Sequence, residues 1–229
     1  MLSDPQDHPF GPEAAAKSFA PHEGDAAGLL ARLETGDGSH DLAHVCRVWA
    51  NVRLLAADEG ADLDVLMPAT ILHDCVVVEK NSPMRSRASR LSALRACNIL
   101  MDLGREADFV SRVAHAIEAH SFSGGVEPET AEARVLRDAD RLDAIGAIGI
   151  TRCFYVSGRL GRMLYDPADP DAERRPIDDL TFAVDHFPAK LLRLQESMLT
   201  VRGRHIAQQR TVLMTRFLDE LRAEIGGLA

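Results

Sequence analysis

Apolar residues recur every three or four positions through most of the chain that follows residue 27. In the first such stretch, Leu42, Val45, Val48 and Val52 fall on one face of a helix, and Gly60 follows as a stop signal. Alternating patterns typical of strands are confined to short runs. The pattern predicts helices over residues 42–58, 65–78, 89–103, 106–121, 130–156 and 187–225. The predicted fold class is therefore all-α, with one core.

Residues 1–27 break this pattern, since they contain four prolines with glycine, aspartate and histidine scattered among them. Such a composition predicts a flexible N-terminal arm, with at most a short helix near residues 13–19. The helical remainder, residues 28–229, is predicted to form a single domain. Residues 166–175, which contain two prolines and several charges, are predicted to form an exposed loop within that domain.

The chain has 229 residues, and its 26 basic against 35 acidic side chains give a formal charge of −9. A protein that coats DNA or RNA needs a basic surface, so this charge argues against a nucleic-acid polymer as partner. No apolar run reaches the roughly 18 residues of a membrane span, and the first residues lack the features of a secretory signal. The four cysteines form no CxxC pair. We therefore predict a cytoplasmic protein with reduced thiols and no membrane partner.

A histidine and an aspartate, His73 and Asp74, stand side by side in the apolar stretch TILHDCVVV. A charged carboxylate is costly in such surroundings unless it is paired or bound to a metal. His44 lies on the first predicted helix, and Asp140 lies on the inward face of the fifth. Two imidazoles and two carboxylates suit Mn, Fe, Co, Zn or Mg. These four residues are therefore the predicted ligands of one divalent metal ion, a cofactor that activates water and polarises phosphoryl oxygens.

The segment that follows the His-Asp pair is strongly basic. Between Lys80 and Arg95 it holds five basic residues and no acid, and four serines add hydroxyl donors. We interpret it as a clamp for a small phosphorylated substrate, because guanidinium and ammonium groups bind phosphate oxygens. A solvated helix face is the alternative. The predicted substrate contacts from this segment are Lys80, Arg85, Arg87 and Ser89.

Five longer strings carry a family resemblance: HDLAHVCRVW, LHDCVVVEKNSP, HAIEAHSFS, RDADRLDAIGAIG and DHFPAKLLRL. With these strings the chain resembles the HD superfamily of metal-dependent phosphohydrolases over residues 38–225, and it is similar to the small bacterial YedJ-like subgroup. The resemblance implies an HD-type helical bundle, a divalent metal at the four residues named above, and hydrolysis of a phosphate ester or anhydride by activated water. Substrates of such enzymes are often nucleotides, so a nucleotide is the predicted substrate.

Two positions depart from the relatives that hydrolyse the alarmone ppGpp. Those enzymes carry a Glu-Asp pair three and four residues after the HD aspartate, where this chain has Val77 and Val78. Alarmone hydrolysis is therefore disfavoured, and the acid that protonates the leaving group is left unassigned. Asp74 is predicted to orient or deprotonate the attacking water, and Lys80 to neutralise charge. One metal is predicted because the histidines that hold a second ion in some relatives are incomplete here.

Three further residues receive predicted roles beside the metal. His120 is predicted to contact the substrate, while Asp143 and His115 are predicted to orient the metal ligands. For Asp143, a helix cap or a local salt bridge is the alternative. Two other functions stay open: a phosphodiesterase or small-molecule phosphatase, and a metal- or nucleotide-sensing module without turnover. The oligomeric state is also open, with a homodimer as one option.

Overall fold

The computed structural model describes residues 10–33, 41–78, 84–121 and 124–227. In these ranges the α-helices are Pro12–Ala16 (α1), Glu23–Leu30 (α2), Leu42–Glu59 (α3), Leu63–Leu72 (α4), Ala88–Asp102 (α5), Ala107–His120 (α6), Ala131–Asp143 (α7), Gly146–Arg159 (α8), His186–Ala189 (α9) and Val201–Ile225 (α10). Short 3₁₀ helices cover Lys17–Phe19, Arg85–Arg87 and Leu191–Ser197. The prediction of an all-α fold is confirmed. No helix in the described ranges is both long and apolar enough to cross a bilayer.

Backbone contacts divide the chain into two compact units, Met1–Asp140 and Arg141–Ala229. We call them the first unit and the second unit and describe each by itself. The predicted single domain over residues 28–229 stays a prediction.

Helix α4 is the centre of the first unit. Every residue from Val65 to Leu72 is buried, because this helix is apolar on all its faces, and it packs against α2, α3, α5 and α6. Its N-cap is Asp62, whose carboxylate accepts a hydrogen bond from the backbone N–H of Asp64, so the helix begins at Leu63, two residues before the predicted start. The buried helix α4 therefore ends directly before the His73-Asp74 pair.

The segment before α3 differs from the loose arm that the sequence predicted. Residues 12–30 form α1, a 3₁₀ turn and α2, and they bury Phe19 and Leu30 completely or nearly so. The ring of Phe19 stacks on Trp49 of α3, with ring centroids 5.2 Å apart. The physical reason is that the alanines, leucines and phenylalanine between the prolines supply enough apolar surface to pack on α3 and α4.

Two long predicted helices are each interrupted. The helix expected over 130–156 consists of α7 and α8, which are separated at Gly146, where φ is +76°. A side chain at Gly149, three residues later, would stand 2.3 Å from the carbonyl oxygen of Ala144, so the tight connection needs both glycines. The helix expected over 187–225 consists of α9, a 3₁₀ helix and α10, and Thr200 caps α10 through a hydrogen bond from the N–H of Gly203.

The second unit has an aromatic core and a bidentate ion pair of low exposure. The rings of Phe154, Phe187 and Phe217 pack on one another with centroids 5.9 to 6.1 Å apart. Arg175 donates two hydrogen bonds to the carboxylate of Asp185, at 2.6 and 2.9 Å. This pair ties together the long connection between α8 and α9.

Candidate metal centre

Helix α3 brings His44 into the interior of the first unit. The helix begins at Leu42 because the Asp41 carboxylate accepts a hydrogen bond from the N–H of His44, at 2.9 Å. The His44 side chain is only 1% exposed. Farther along α3, the Asn51 amide donates to the carbonyl oxygen of Ala139 at 3.0 Å. This contact holds the part of α7 that carries Asp140 against α3.

His73 and His120 are each fixed by the end of a helix. His73 follows the last residue of α4, and its Nδ1 lies 2.7 Å from the carbonyl oxygen of Thr70. His120 is the last residue of α6, and its Nδ1 lies 2.6 Å from the carbonyl oxygen of Ile117. A carbonyl only accepts, so in each histidine Nδ1 donates and the neutral ring keeps its lone pair on Nε2. Both rings thus present an Nε2 atom suited to bind a cation.

His44, His73 and Asp140 converge within the first unit. The two Nε2 atoms are 3.3 Å apart, and Asp140 Oδ1 lies 3.6 Å from His44 Nε2 and 4.0 Å from His73 Nε2. All three ligand atoms lie within 4.8 Å of one another. Nitrogen and oxygen ligands bound to one ion at about 2.1 Å stand roughly 3 to 4 Å apart, so the three residues fit a divalent cation.

Asp74 stands between two of the histidines. Its Oδ2 lies 3.8 Å from His73 Nε2 and its Oδ1 lies 3.7 Å from His120 Nε2. The rings of His73 and His120 meet edge to face, with centroids 5.1 Å apart. The side chains of Asp74 and Asp140 are 28% and 31% exposed, so solvent and a small ligand can reach both carboxylates. His44, His73 and Asp74 also line one small pocket.

Electrostatics within the cluster favours an anionic Asp140 and a neutral His120. Burial raises the pKa of Asp140, but His73, His44 and His120 together hold that pKa below its ordinary value. Burial and the neighbouring His73 lower the pKa of His120, against the opposing effect of the two aspartates. The cluster therefore combines ring nitrogens with carboxylate oxygens, which is the donor set of a divalent metal.

The sequence profile of the HD domain matches residues 41–145, a range that contains the whole cluster. The Bacillus subtilis (strain 168) protein YpgQ is 34% identical over 200 residues, which are 86% of this chain and 89% of YpgQ. The chain belongs to the HD domain family. The prediction of a hydrolase of the HD superfamily is confirmed at that level, while the YedJ-like subgroup stays a prediction.

Solved structures agree with this family. The crystal structure of YpgQ in complex with ADP matches with a TM-score of 0.64 and 33% identity, covering 83% of this chain and 92% of that one. An HD-superfamily hydrolase from Bacillus thuringiensis matches with a TM-score of 0.63 and 27% identity, covering 93% and 95%. The HD fold thus extends over most of the chain.

The predicted phosphate contacts of this HD domain lie only partly within the described ranges. Lys80 lies outside them, and so does the side chain of Arg85, whose backbone belongs to a 3₁₀ helix. Arg87 is exposed at the start of α5. Ser89 is buried, and a side chain at Gly124 would stand 2.8 Å from its hydroxyl. Substrate binding by these four residues stays a prediction.

The two residues predicted to orient ligands have other contacts. The ring of His115 accepts a hydrogen bond from the N–H of Glu129, at 3.2 Å. Asp143 is buried in the second unit and accepts a hydrogen bond from Arg152 at 2.8 Å, which is the local salt bridge that the sequence offered as an alternative, and its role at the metal stays a prediction. Sequence reasoning also missed Asp41 and Asn51, although an aspartate just before a helical pattern is an N-cap signal.

Proposed function

We propose that this chain is a metal-dependent phosphohydrolase that acts on nucleotides. The observation that carries the proposal is the convergence of His44, His73 and Asp140, whose ligand atoms lie within 4.8 Å of one another. Membership of the HD family supports a hydrolytic reaction. The complex of the relative YpgQ with ADP supports a nucleotide as the substrate class.

In this proposal His44, His73, Asp74 and Asp140 hold one divalent ion, which is Mn, Fe, Co, Zn or Mg. The Nδ1 hydrogen bond of His73 fixes its ring so that Nε2 faces the other ligands. When bound, such an ion acts as a Lewis acid toward water and a phosphoryl oxygen. The protein supplies the fixed geometry and the negative charge of the two carboxylates.

Asp74 is the residue that we assign to the attacking water. Its carboxylate is partly exposed, and Oδ1 and Oδ2 face the Nε2 atoms of His120 and His73. A carboxylate at this position accepts a hydrogen bond from water and orients its lone pair, or takes its proton. We assign the substrate contact to His120, whose Nε2 lies 3.7 Å from Asp74 Oδ1.

Charge on the substrate is neutralised, in this proposal, by the basic segment after the HD pair. Lys80, Arg85 and Arg87 supply positive charge, and the Ser89 hydroxyl supplies a donor. Arg87 is exposed where α5 begins, so its guanidinium can reach a phosphate that lies in solvent. Lys80 has the additional role of stabilising the charge that develops on the leaving group.

A substrate screen with product analysis tests the proposal. Purified protein with Mn²⁺ is given nucleoside mono-, di- and triphosphates, p-nitrophenyl phosphate and bis-p-nitrophenyl phosphate, and phosphate and pyrophosphate are measured separately. We expect turnover of a nucleotide, its loss in His73→Ala, and no change in the control His205→Ala, an exposed histidine of α10. Turnover of the nitrophenyl esters alone favours the phosphatase or phosphodiesterase. A metal-loaded protein without turnover on the whole panel supports the sensing module and contradicts the proposal.

A further inference from the structure

A histidine and an aspartate of the second unit form a close pair that none of the roles assigned above uses. The Nδ1 atom of His186 lies 2.8 Å from Oδ2 of Asp179. An ionised carboxylate only accepts, so Nδ1 donates and the neutral ring keeps its lone pair on Nε2. The His186 side chain is 24% exposed, and its Nε2 has no hydrogen-bond partner in the described ranges. His186 therefore offers a free hydrogen-bond acceptor to a ligand.

A backbone bridge brings an arginine, Arg162, to the segment that carries this aspartate. Met163 pairs with Phe182 in a parallel bridge, and the N–H of Met163 donates to the carbonyl oxygen of Thr181 at 3.0 Å. Arg162 directly precedes the bridge on one side, and Asp179 stands two residues before Thr181 on the other. The half-buried Arg162 is therefore held beside the segment of Asp179.

A lysine, Lys190, stands one helical turn after the histidine. Its backbone N–H donates to the carbonyl oxygen of His186 at 3.0 Å, and residues four apart on a helix are neighbours on the helix surface. Burial lowers the pKa of His186, and the charges of Lys190 and Arg162 lower it further, whereas Asp179 opposes them. The two cations thus lie close enough to act on the ring, and the ring is neutral at neutral pH.

The charges around the His186 ring are unbalanced. Neither Lys190 nor Arg162 forms an ion pair within the part of the chain that the structure describes. Asp179 offsets one of their two positive charges, and the carboxylate of the neighbouring Asp178 accepts hydrogen bonds from two backbone N–H groups of its own turn. One positive charge therefore remains beside the free Nε2 atom, and it favours an anion as ligand.

We propose that Arg162, His186 and Lys190 bind a hydrogen phosphate ion. Its charged oxygens accept hydrogen bonds from Arg162 and Lys190, and its P–OH group donates to Nε2 of His186. Asp179 is a positioning residue, because it fixes the ring through Nδ1. The acceptor at Nε2 selects among anions: sulfate has the same shape and charge, but it carries no proton at neutral pH and cannot donate to Nε2. The proposal needs no turnover at the HD cluster.

Calorimetric titrations of the full chain with inorganic phosphate and with sulfate test the proposal. They are run at neutral pH with EDTA, so that no metal ion contributes to anion binding. We expect saturable binding of phosphate, and affinity for sulfate that is weaker by about tenfold or more, because sulfate leaves the Nε2 acceptor unpaired. In His186→Phe, which keeps a ring but removes the acceptor, the two anions should bind equally.

Charge variants locate the ion. Lys190→Gln and Arg162→Gln should each weaken the binding of both anions several-fold, and the exposed Lys190 can be replaced without disturbing the core. Arg216→Gln is the matched control, since Arg216 is an exposed arginine of α10 without an ion pair in the described ranges, and it should bind as the wild type does. The proposal is overturned by absence of saturable phosphate binding, by equal wild-type affinities for phosphate and sulfate, or by unchanged phosphate binding in Lys190→Gln.

Discussion

Asp140 in the first unit and Asp185 in the second are both carboxylates of low pKa, but different groups lower it. Burial raises the pKa of each, and for Asp185 the hydrogen bonds and charge of Arg175 outweigh that effect. For Asp140 the opposing groups are His73, His44 and His120. An arginine is always charged and completes its pair, whereas an imidazole ring nitrogen can also serve as a metal ligand.

The two aspartates also differ in access. Asp185 is 2% exposed and accepts a further hydrogen bond from the N–H of Asp178, so its bonding capacity is used by the protein. Asp140 is 31% exposed and lies among ring nitrogens. The pair of Asp185 with Arg175 is complete within the protein and stabilises the fold. The accessible Asp140 carboxylate, which lies among imidazoles, is suited to bind a cation. The difference is the reason why the expected chemistry is assigned to Asp140 rather than to Asp185.

The largest expected effect is that of Asp140→Asn on the reaction. The amide keeps the shape but removes the negative charge, so Mn²⁺-dependent phosphate release should fall by more than about 100-fold. The free energy of unfolding measured with EDTA should stay within about 1 kcal/mol of the wild type, because the residue is partly exposed. Urea unfolding and a phosphate assay check both values. A variant that keeps its activity would remove Asp140 from the metal centre.

The same change in the second unit should act on stability instead. Asp185→Asn removes a carboxylate that accepts two hydrogen bonds from Arg175 and one from the N–H of Asp178, so we expect the free energy of unfolding to fall by roughly 2 kcal/mol. The affinity of the folded protein for Mn²⁺ should not change. Urea titrations and metal titrations on the two asparagine variants give the comparison directly. Equal losses of unfolding free energy in the two variants would contradict the claim that Asp185, and not Asp140, stabilises the fold.

The pH dependence of stability sharpens this second prediction. The folded pKa of Asp185 lies below the ordinary aspartate value of about 3.9, so the ionised form stabilises the fold above that value. The contribution is lost as the pH falls through the folded pKa. The difference in unfolding free energy between wild type and Asp185→Asn should therefore be equal near about pH 7 and about pH 5, and smaller at about pH 3. A difference that grows on acidification would contradict the assigned pair.

The smallest effect concerns two helix caps. Asp41→Ala and Thr200→Ala each remove a side chain that accepts a hydrogen bond at a helix start, and each should cost about 1 kcal/mol of stability. Only Asp41→Ala should also weaken Mn²⁺ binding, because the Asp41 carboxylate accepts the hydrogen bond that fixes the backbone N–H of His44. Thermal melts and metal titrations of both variants check this. Equal metal affinities would mean that the cap does not position His44.

Much of this arrangement could be predicted from the sequence, and the physical reasons are specific. Helical spacing placed His44 in the first turn of α3, where the structure has it. The apolar run that ends at His73-Asp74 indicated a polar pair at the end of a buried helix. The structure brings His44, His73 and Asp140 together, and the roles of all the site residues stay predictions. Lys80 lies outside the described ranges, so its role depends on the basic segment that follows the His-Asp pair in the sequence.

Helix ends were less predictable, because side chains that compete for backbone groups decide them. Helix α4 stops at Leu72, six residues before the predicted end, where the His73 ring takes the Thr70 carbonyl that a continuing helix would bond to the N–H of Asp74. The helix break at Gly146 could not be predicted, because the same stretch contains a second glycine, Gly149, which lies within a helix. Spacing alone does not say which glycine adopts a positive φ.

The central claim is that His44, His73, Asp74 and Asp140 hold one divalent ion. Electron paramagnetic resonance of free Mn²⁺ during a titration with the protein measures this directly. The account predicts that the wild type removes one equivalent of Mn²⁺ per chain and that His44→Ala removes none under the same conditions. A wild type that leaves the Mn²⁺ signal unchanged, or a His44→Ala variant that binds as the wild type does, would contradict it.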